Sequence, residues 1–534
     1  MKLAGRSLLI LLVLYGMVFA LGDLYLARHG APLWVAAAFA VVIVALQYGL
    51  SPSLITWLMK IEWDDSGTEL PARNREFLQR ICHERGLKMP RIGIIPSNTP
   101  NAFTYGHTPG DARVVVTAGL LKILTPEESN AVLAHEIGHI DHWDFVVMTL
   151  AALAPLLLYQ LYVFTRSNNR SRALAVGAYV CYWVSQFVVF LLSRTREYYA
   201  DQFSARITGS PDTLASALVK IAYGMVQAAG AFGEAMASAK GKEKARLERS
   251  RSLAGGLALM GISNLRSGQS LALSGADAAG AAAVMRWDLV NPWARFYELS
   301  STHPLTALRV RALGREAQAM GQAFSYPLPA DQRIRWTEFP VEFLLWAAPW
   351  VTGLTLVAAV AVPRWFHVSG AGLDSAVAPV LLALTGAFWM LRTWYRYGGE
   401  FQPATIAKLM EDTGVSEMGP RAVRLEGEIL GQGVPGAFWS PDLVLRDSTG
   451  ILFVLYRQSI PFARLLFAIH GAPGYIGQKV TIDGWFRRGL RPYVEMLRLT
   501  GEDGKTRRTY SRSIQIGVGA LAAVIGLLWF VGTL

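Results

Sequence analysis

His135 and His139 stand four residues apart in Ala134-His135-Glu136-Ile137-Gly138-His139. On an α-helix that spacing puts both imidazoles on one face, where they can meet one divalent metal ion. Glu136 adjoins the first of them, the place for a base that touches activated water without ligating the metal. With nine histidines in 534 residues, His-acid-x-x-His is expected about 0.01 times by chance, which makes coincidence a poor account of it. A catalytic zinc needs a third protein ligand and an open position for water. The candidate is Glu197, in Ser193-Arg194-Thr195-Arg196-Glu197-Tyr198-Tyr199-Ala200-Asp201. Asp201, one helical turn further on, is placed to accept a hydrogen bond from a ligand imidazole. His142 could be a rival ligand, although a structural or solvent-facing role is the plainer reading, while Asp141 and Asp144 either orient the site or are merely solvated.

These groups need elements that bring them together. Thr125, Pro126 and Glu128 form a helix start with a capping box, so the two histidines ride on a helix that begins there. Two apolar runs, 145–165 and 173–192, flank the short polar loop Thr165 to Arg172 and predict a membrane hairpin. His139 lies just before the hairpin and Glu197 just after it, so a crossing and a return would set the carboxylate beside the imidazoles.

The composition suits a membrane. Residues are 52% hydrophobic and only 17% charged, against about a quarter charged in a soluble domain, and mean hydropathy is +0.30. That excludes a plain soluble enzyme and a disordered scaffold. Seven runs without Lys or Arg are long enough to span: 7–26, 34–59, 145–165, 173–192, 341–362, 375–391 and 515–533. The sixth is the shortest and contains Pro379. The first follows Lys2 and Arg6 and carries a passable cleavage site at Val18-Phe19-Ala20, but its length favours an uncleaved anchor. With the N-terminus inside, the outer loops hold Arg28, Arg166, Arg170, Arg172 and Arg364, and the remaining 46 of 51 Lys and Arg lie inside. Cys82 and Cys181, far apart, build neither a disulfide framework nor a thiolate site.

Outside the apolar runs, 60–144 mixes a polar helix with short strands such as Arg91–Ile95 and Arg113–Thr117. The stretch 226–292 is rich in Ala, Gly and Ser, with a basic patch from Lys240 to Arg251, and reads as an insertion. From 421 to 500 the pattern alternates: Val423, Leu425, Gly427 and Ile429 share one face, as do Ile451, Phe453 and Leu455, and Val480, Ile482, Gly484 and Phe486. Period 2, with Ser448-Thr449-Gly450 as a turn, predicts a small OB-like β-domain. Trp485, Arg487, Arg488 and Tyr493 could be a single-strand nucleic-acid groove, or simply barrel wall and solvated face. The second reading is the plainer one, and no nucleic-acid partner is expected.

With His135-Glu136-x-x-His139 and Ser193-Arg-x-x-Glu197-Tyr-x-Ala-Asp201 in hand, the chain resembles the membrane zinc metallopeptidases that include HtpX-like heat-shock proteases and CAAX prenyl endopeptidases. The resemblance covers roughly 60–320 and is closer to the HtpX-like plan. It implies a zincin-type α+β catalytic domain and one zinc ion per chain, held by His135, His139 and Glu197, with Glu136 as base. Asn101-Ala102-Phe103 resembles the family's edge strand, and Thr302-His303-Pro304 with Arg309 its C-terminal motif. By resemblance Asn101 and His303 act on substrate or transition state, and Ala102 and Phe103 bind substrate. An edge strand can hold a substrate by main-chain hydrogen bonds, and a donor such as His303 can stabilise an oxyanion. Their plain alternatives are a turn residue after Thr99-Pro100 and a helix-start residue before Pro304.

The fold class expected is a mainly α membrane protein of about seven transmembrane helices, with the catalytic domain and the β-domain described. It divides into 1–59, two N-terminal spans; 60–320, the peptidase domain with its hairpin 145–192; 321–392, two more spans; 393–512, the β-rich domain; and 513–534, a last span. The function expected is peptide-bond hydrolysis in membrane-protein quality control or processing. Its substrates are membrane or misfolded polypeptides, its solvent is the lipid bilayer, and the catalytic part faces the cytoplasm of a bacterial inner membrane. The competing class is a non-catalytic scaffold braced by zinc, closed by a fourth ligand such as His142, whose β-domain binds a partner.

Overall fold

The computed structural model describes residues 13–14, 17, 33–166, 171–222, 278–328, 333–366, 371–432, 440–459, 461–489 and 492–533. Run 7–26, apart from its residues 13, 14 and 17, lies outside the described residues, as does the patch Lys240 to Arg251 with most of 226–292. The chain forms two compact units, one from Met1–Ala229, Lys240–Ala272 and Phe296–Ala330, the other from Gly230–Ala239, Leu273–Arg295 and Asp331–Leu534. Among the described residues, five helices are long and apolar enough to cross a membrane: Asp144–Thr165, Arg172–Thr208, Phe339–Val360, Val377–Arg396 and Ser511–Gly532.

In the first unit, the second apolar run is helix α1 (Leu33–Met59). It leads into a four-stranded sheet of β1 (Glu62–Trp63), β2 (Arg91–Ile95), β3 (Ala102–Tyr105) and β4 (Arg113–Thr117), with α2 (Ala72–Arg85) between β1 and β2. The spatial order is β1-β2-β4-β3, with β2 and β4 parallel and both outer pairs antiparallel. Val114, Val115 and Val116 are fully buried: β-branched side chains suit a strand covered on both faces. One face packs on Met59 at the end of α1 through Ile95, Phe103 and Val115. β3 is left at the edge.

Helix α3 (Pro126–Asp141) starts as its sequence predicts. Glu128 N–H donates to Thr125 Oγ1 at 3.2 Å and Thr125 N–H to Glu128 Oε2 at 2.9 Å. The chain then turns abruptly through Trp143, whose φ of 58° is in the left-handed region a non-glycine residue seldom enters. The hairpin follows as α4 (Asp144–Thr165) and α5 (Arg172–Thr208). α5 continues well past its apolar run and crosses α3 at Gly138. A Cβ there would lie 3.2 Å from Ala200 Cα, so the glycine and the alanine together let the two backbones approach. Ser204 Oγ, donating to Ala131 O at 2.6 Å, fixes the crossing. Helix α6 (Thr306–Ala319) is tied to α5 through Gln202 and Arg206, both bonded to Glu316.

In the second unit, α7 (Phe339–Phe366) and α8 (Ala371–Arg396) precede the strands and α9 (Ser511–Thr533) follows them. α8 continues through Pro379. It meets α9 at Gly386, Gly519 and Gly526, where an added Cβ would fall within 2.4–2.7 Å of the facing helix, the small-residue packing that membrane helices favour.

Strands β6 (Arg421–Gln432), β7 (Leu443–Arg446), β8 (Ile451–Leu455), β9 (Lys479–Arg488) and β10 (Pro492–Gly501) close in the order β6-β7-β8-β10-β9-β6. β8 and β10 are parallel. The short β5 (Gln402–Pro403) and β11 (Thr506–Arg508) extend β6 and β10. The interior holds Leu425, Ile429, Ile482, Phe486 and Val494.

Two expectations for this region change. On β8 the interior side chains are Leu452 and Val454, both fully buried, whereas Ile451 is exposed; with apolar residues on both faces, alternation there could not choose between them. Trp485, Arg487, Arg488 and Tyr493 are all buried, so they offer neither an exposed stacking groove nor a solvated face. Arg488 donates to Met410 O and Val284 O, and Arg487 to Glu495, Glu417 O and Arg396 O. The barrel wall here is covered by its own unit.

Candidate active site

The turn of α3 that ends at the hairpin and the far end of α5 bring three donor groups together. His135 and His139 present Nε2 atoms 3.1 Å apart, and the Glu197 carboxylate oxygens lie 3.6 Å from each. All three groups offer ligand atoms within 4.8 Å of one another, enough to hold a metal ion. The back of each imidazole is occupied. His135 Nδ1 faces Asp201 Oδ1 at 3.0 Å, and His139 Nδ1 bonds Asp144 Oδ2 at 2.5 Å. Carboxylates behind Nδ1 hold a proton there and turn the Nε2 lone pairs inward, the arrangement a metal-ligating histidine needs. Two nitrogens and one carboxylate oxygen suit zinc.

The groups behind the donors have partners of their own, of which Thr104 had no signal in the sequence. Asp144 pairs with Arg196, so the carboxylate behind His139 is itself held from α5. Thr104 Oγ1, on the edge strand, donates to Glu136 Oε2 at 2.6 Å. Arg309, 1% exposed, forks onto Asp201 through Nε at 2.8 Å and Nη2 at 2.6 Å, while its Nη1 lies 3.3 Å from Glu197 Oε2. Burial alone would lower the pKa of this guanidinium; Asp201 and Glu197 more than offset that and raise it above its ordinary value. Arg194 donates to the carbonyls of Glu298 and Ser301 at 2.7 and 2.8 Å, which fixes the turn that carries His303. His303 Nδ1 then stands 3.2 Å from Glu197 Oε1.

A cavity of about 780 Å³ opens beside these groups, lined among others by Ala102, Phe103, Glu136, His139, Glu197 and His303. Asn101 sits differently. It is 2% exposed, its carboxamide oxygen accepts from Ala102 N–H at 3.0 Å, and its own N–H donates to Thr117 Oγ1 at 2.9 Å. It anchors the start of β3 rather than lining the cavity. Asp141 is drawn to Arg85 at 2.7 Å and is not among the three donor groups.

The site is assembled in a segment that matches the model of peptidase family M48, over residues 71–317. A protease HtpX homologue from Methanothermobacter thermautotrophicus is 38% identical over 225 residues, which is 41% of this chain and 86% of the relative. The chain belongs to the HtpX-like metallopeptidases of family M48. A Thermococcus sibiricus HtpX homologue is 29% identical over 338 residues, 60% of this chain and 98% of the relative. A crystal structure of S. mikatae Ste24p aligns with TM-score 0.32 at 17% identity, covering 58% of this chain and 64% of that one.

His142, the rival ligand, is turned away from the donor cluster of this M48 peptidase. Its ring packs against Tyr199 and Phe203, with centroids 6.4 and 5.9 Å apart. Burial, opposed in part by Asp141, lowers its pKa below the ordinary 6.5. Above 6.5 the ring is neutral whether the chain is folded or not. As pH falls below that value the unfolded chain takes up a proton that the folded one resists, so stability is lost. We expect His142→Phe to keep the ring packing and to flatten the fall in melting temperature on acidification below pH 6.5, measured by thermal unfolding in detergent.

Proposed function

We propose that this chain is an integral-membrane, zinc-dependent endopeptidase in which Glu136 is the general base. The observation that carries the reading is the convergence of His135, His139 and Glu197 beside Glu136, at a cavity bounded by an edge strand. Zinc held by those three groups supplies Lewis acidity that acidifies water toward neutrality and polarises a carbonyl. The chain's own residues do the rest. A substrate pairs in extended form with the free edge of β3 at Ala102 and Phe103, a strand whose start Asn101 fixes. Thr104 aims the Glu136 carboxylate, which takes a proton from the attacking water and returns it to the leaving amine. His303 donates toward the oxyanion as the carbonyl carbon becomes tetrahedral. Asp201 and Asp144 hold the two ligand imidazoles in the required tautomer.

The apolar runs support about seven spans, with 1–59, 60–320, 321–392, 393–512 and 513–534 as working divisions. Five strands ringed with β8 parallel to β10 support an OB-like barrel. The excess of Lys and Arg in 60–144, 193–340 and 392–514 supports a cytoplasmic catalytic part at a bacterial inner membrane. A role in quality control or processing of membrane proteins fits both placement and chemistry. The scaffold alternative needs a closed fourth ligand, and His142 is engaged elsewhere.

The test is hydrolysis of an unfolded membrane protein by the purified full-length chain, with zinc measured in parallel. A chelator is expected to abolish cleavage, and stoichiometric zinc to restore it. Serine and cysteine reagents should leave it intact, because no acyl-enzyme is formed. Bound zinc without cleavage of any unfolded membrane substrate would sink the endopeptidase reading.

A further inference from the structure

The cavity does not end at the reacting groups. From Glu136, His139 and Glu197 it runs between α4 and α5 as far as Tyr159 and Tyr182. Asp144 and Tyr159 both line it, and at 1.5 Å per helical residue they stand ~22 Å apart, a large part of the ~30 Å apolar core of a bilayer. Both flanking helices are apolar enough to cross a membrane, so the groove leads from the site into membrane depth. At its far end the lining includes Tyr159 and Tyr182, ring centroids 5.5 Å apart; outside the lining the tyrosine cluster continues through Tyr162, 5.9 Å from Tyr159, to Tyr179, 5.0 Å from Tyr162. The charged groups of the lining sit at its metal end. Beyond Asp144 and Arg196 the walls are uncharged, with Met148, Leu156 and Val189 beside the polar Thr149 and Gln186.

The strand edge at its mouth decides what such a groove takes. A substrate paired with β3 at Ala102 and Phe103, which line the same cavity, enters it as an extended chain. An extended chain covers ~22 Å in about six residues, an occupant of the size cavities of this class hold. An unwound backbone at membrane depth needs partners for its N–H and C=O groups. Gln186 can both donate and accept, and it faces the groove without an intramolecular hydrogen bond among the described residues.

The geometry points to a filter on substrate conformation and charge. The groove receives an extended, uncharged stretch of about six residues on the membrane side of the bond to be cut, Gln186 binds its backbone, and the pair Tyr159 and Tyr182 ends it. The inference rests on the endopeptidase reading and adds the class of sequence the enzyme selects.

The test uses the full-length protein in phosphatidylethanolamine–phosphatidylglycerol nanodiscs and a single-span reporter with a polar extension, its cut site mapped by mass spectrometry. Lysine is then moved stepwise from the cut toward the span. Cleavage efficiency is expected to fall at least tenfold for lysine at any of about the first six positions and to recover beyond them. Tyr159→Ala combined with Tyr182→Ala should move that limit outward by one or two residues, and Gln186→Leu should lower kcat/KM several-fold without moving it. Equal tolerance of lysine everywhere, or a limit unmoved by loss of the tyrosines, overturns the filter.

A second readout needs no turnover. In a Glu136→Gln, Cys181→Ser protein carrying Leu156→Cys, a disulfide should form with single-cysteine reporters only in a narrow window, centred about five residues from the site of hydrolysis. Cross-linking without hydrolysis keeps the groove and removes the endopeptidase reading. Hydrolysis with neither a window nor a lysine limit does the reverse.

Discussion

Glu136→Gln is expected to lower kcat by about 10²–10⁴-fold while zinc remains bound at the wild-type ratio, a loss of roughly 3–5 kcal/mol in transition-state stabilisation. The substitution is nearly isosteric. The amide oxygen can still accept from Thr104 Oγ1, which sits 2.6 Å from the carboxylate it replaces, so the side chain keeps its direction and loses only its basicity. Glu136 is 2% exposed and lines the cavity, and none of the three donor groups depends on it. Metal content and melting temperature should therefore stay level while turnover collapses. Single-turnover cleavage with zinc analysis checks both together. Full turnover by the zinc-loaded variant would show that another group moves the proton.

The chemistry was legible in the sequence because a helix repeats. His135 and His139 had to share a face once Thr125, Pro126 and Glu128 marked the helix start, and the hairpin gave Glu197 a route back to them. Asp144 was harder to read. It begins an apolar run, where a lone acid is ordinarily a solvated end, and its role depends on the turn at Trp143, whose left-handed backbone no local residue type announces. Thr104 acts across a strand edge and Arg309 reaches 108 residues back to Asp201; such long contacts have no period to betray them.

In the barrel, alternation found the interior of β6 and β9 but not that of β8, where both faces are apolar. Arg487 and Arg488 show the same limit from the other side. An arginine on a strand is ordinarily solvated, and these two, consecutive in β9 and so on opposite faces, are buried because backbone carbonyls from other segments receive them.

Arg309→Met should cost the metal-free protein about 3–5 kcal/mol, because it leaves two buried carboxylates without the guanidinium they share. Asp201 loses both hydrogen bonds of the fork, and Glu197 loses the guanidinium 3.3 Å away. Solvent screening offers little relief, since Arg309, Asp201 and Glu197 are at most 5% exposed. A divalent ion held by Glu197 would supply positive charge to one of the two carboxylates, so the zinc-loaded variant should lose much less. The difference in melting temperature between loaded and chelated protein is therefore expected to be larger in the variant than in the wild type, by linkage.

Affinity for zinc is pulled in two directions, and the larger shift on loading requires that the charge outweigh the loosened imidazole. The added negative charge favours the ion, while a mobile Asp201 no longer holds His135 in its tautomer, a loss that ordinarily costs 10–100-fold. A charge effect alone would leave His135 correctly set and raise affinity. Combining Arg309→Met with Asp201→Asn separates the two. With one carboxylate neutralised, most of the stability of the metal-free protein should return, but the orientation of His135 should not, so the double variant should fold well and bind zinc poorly. If Arg309→Met unfolds like the wild type with and without chelator, the guanidinium is not what balances this carboxylate pair.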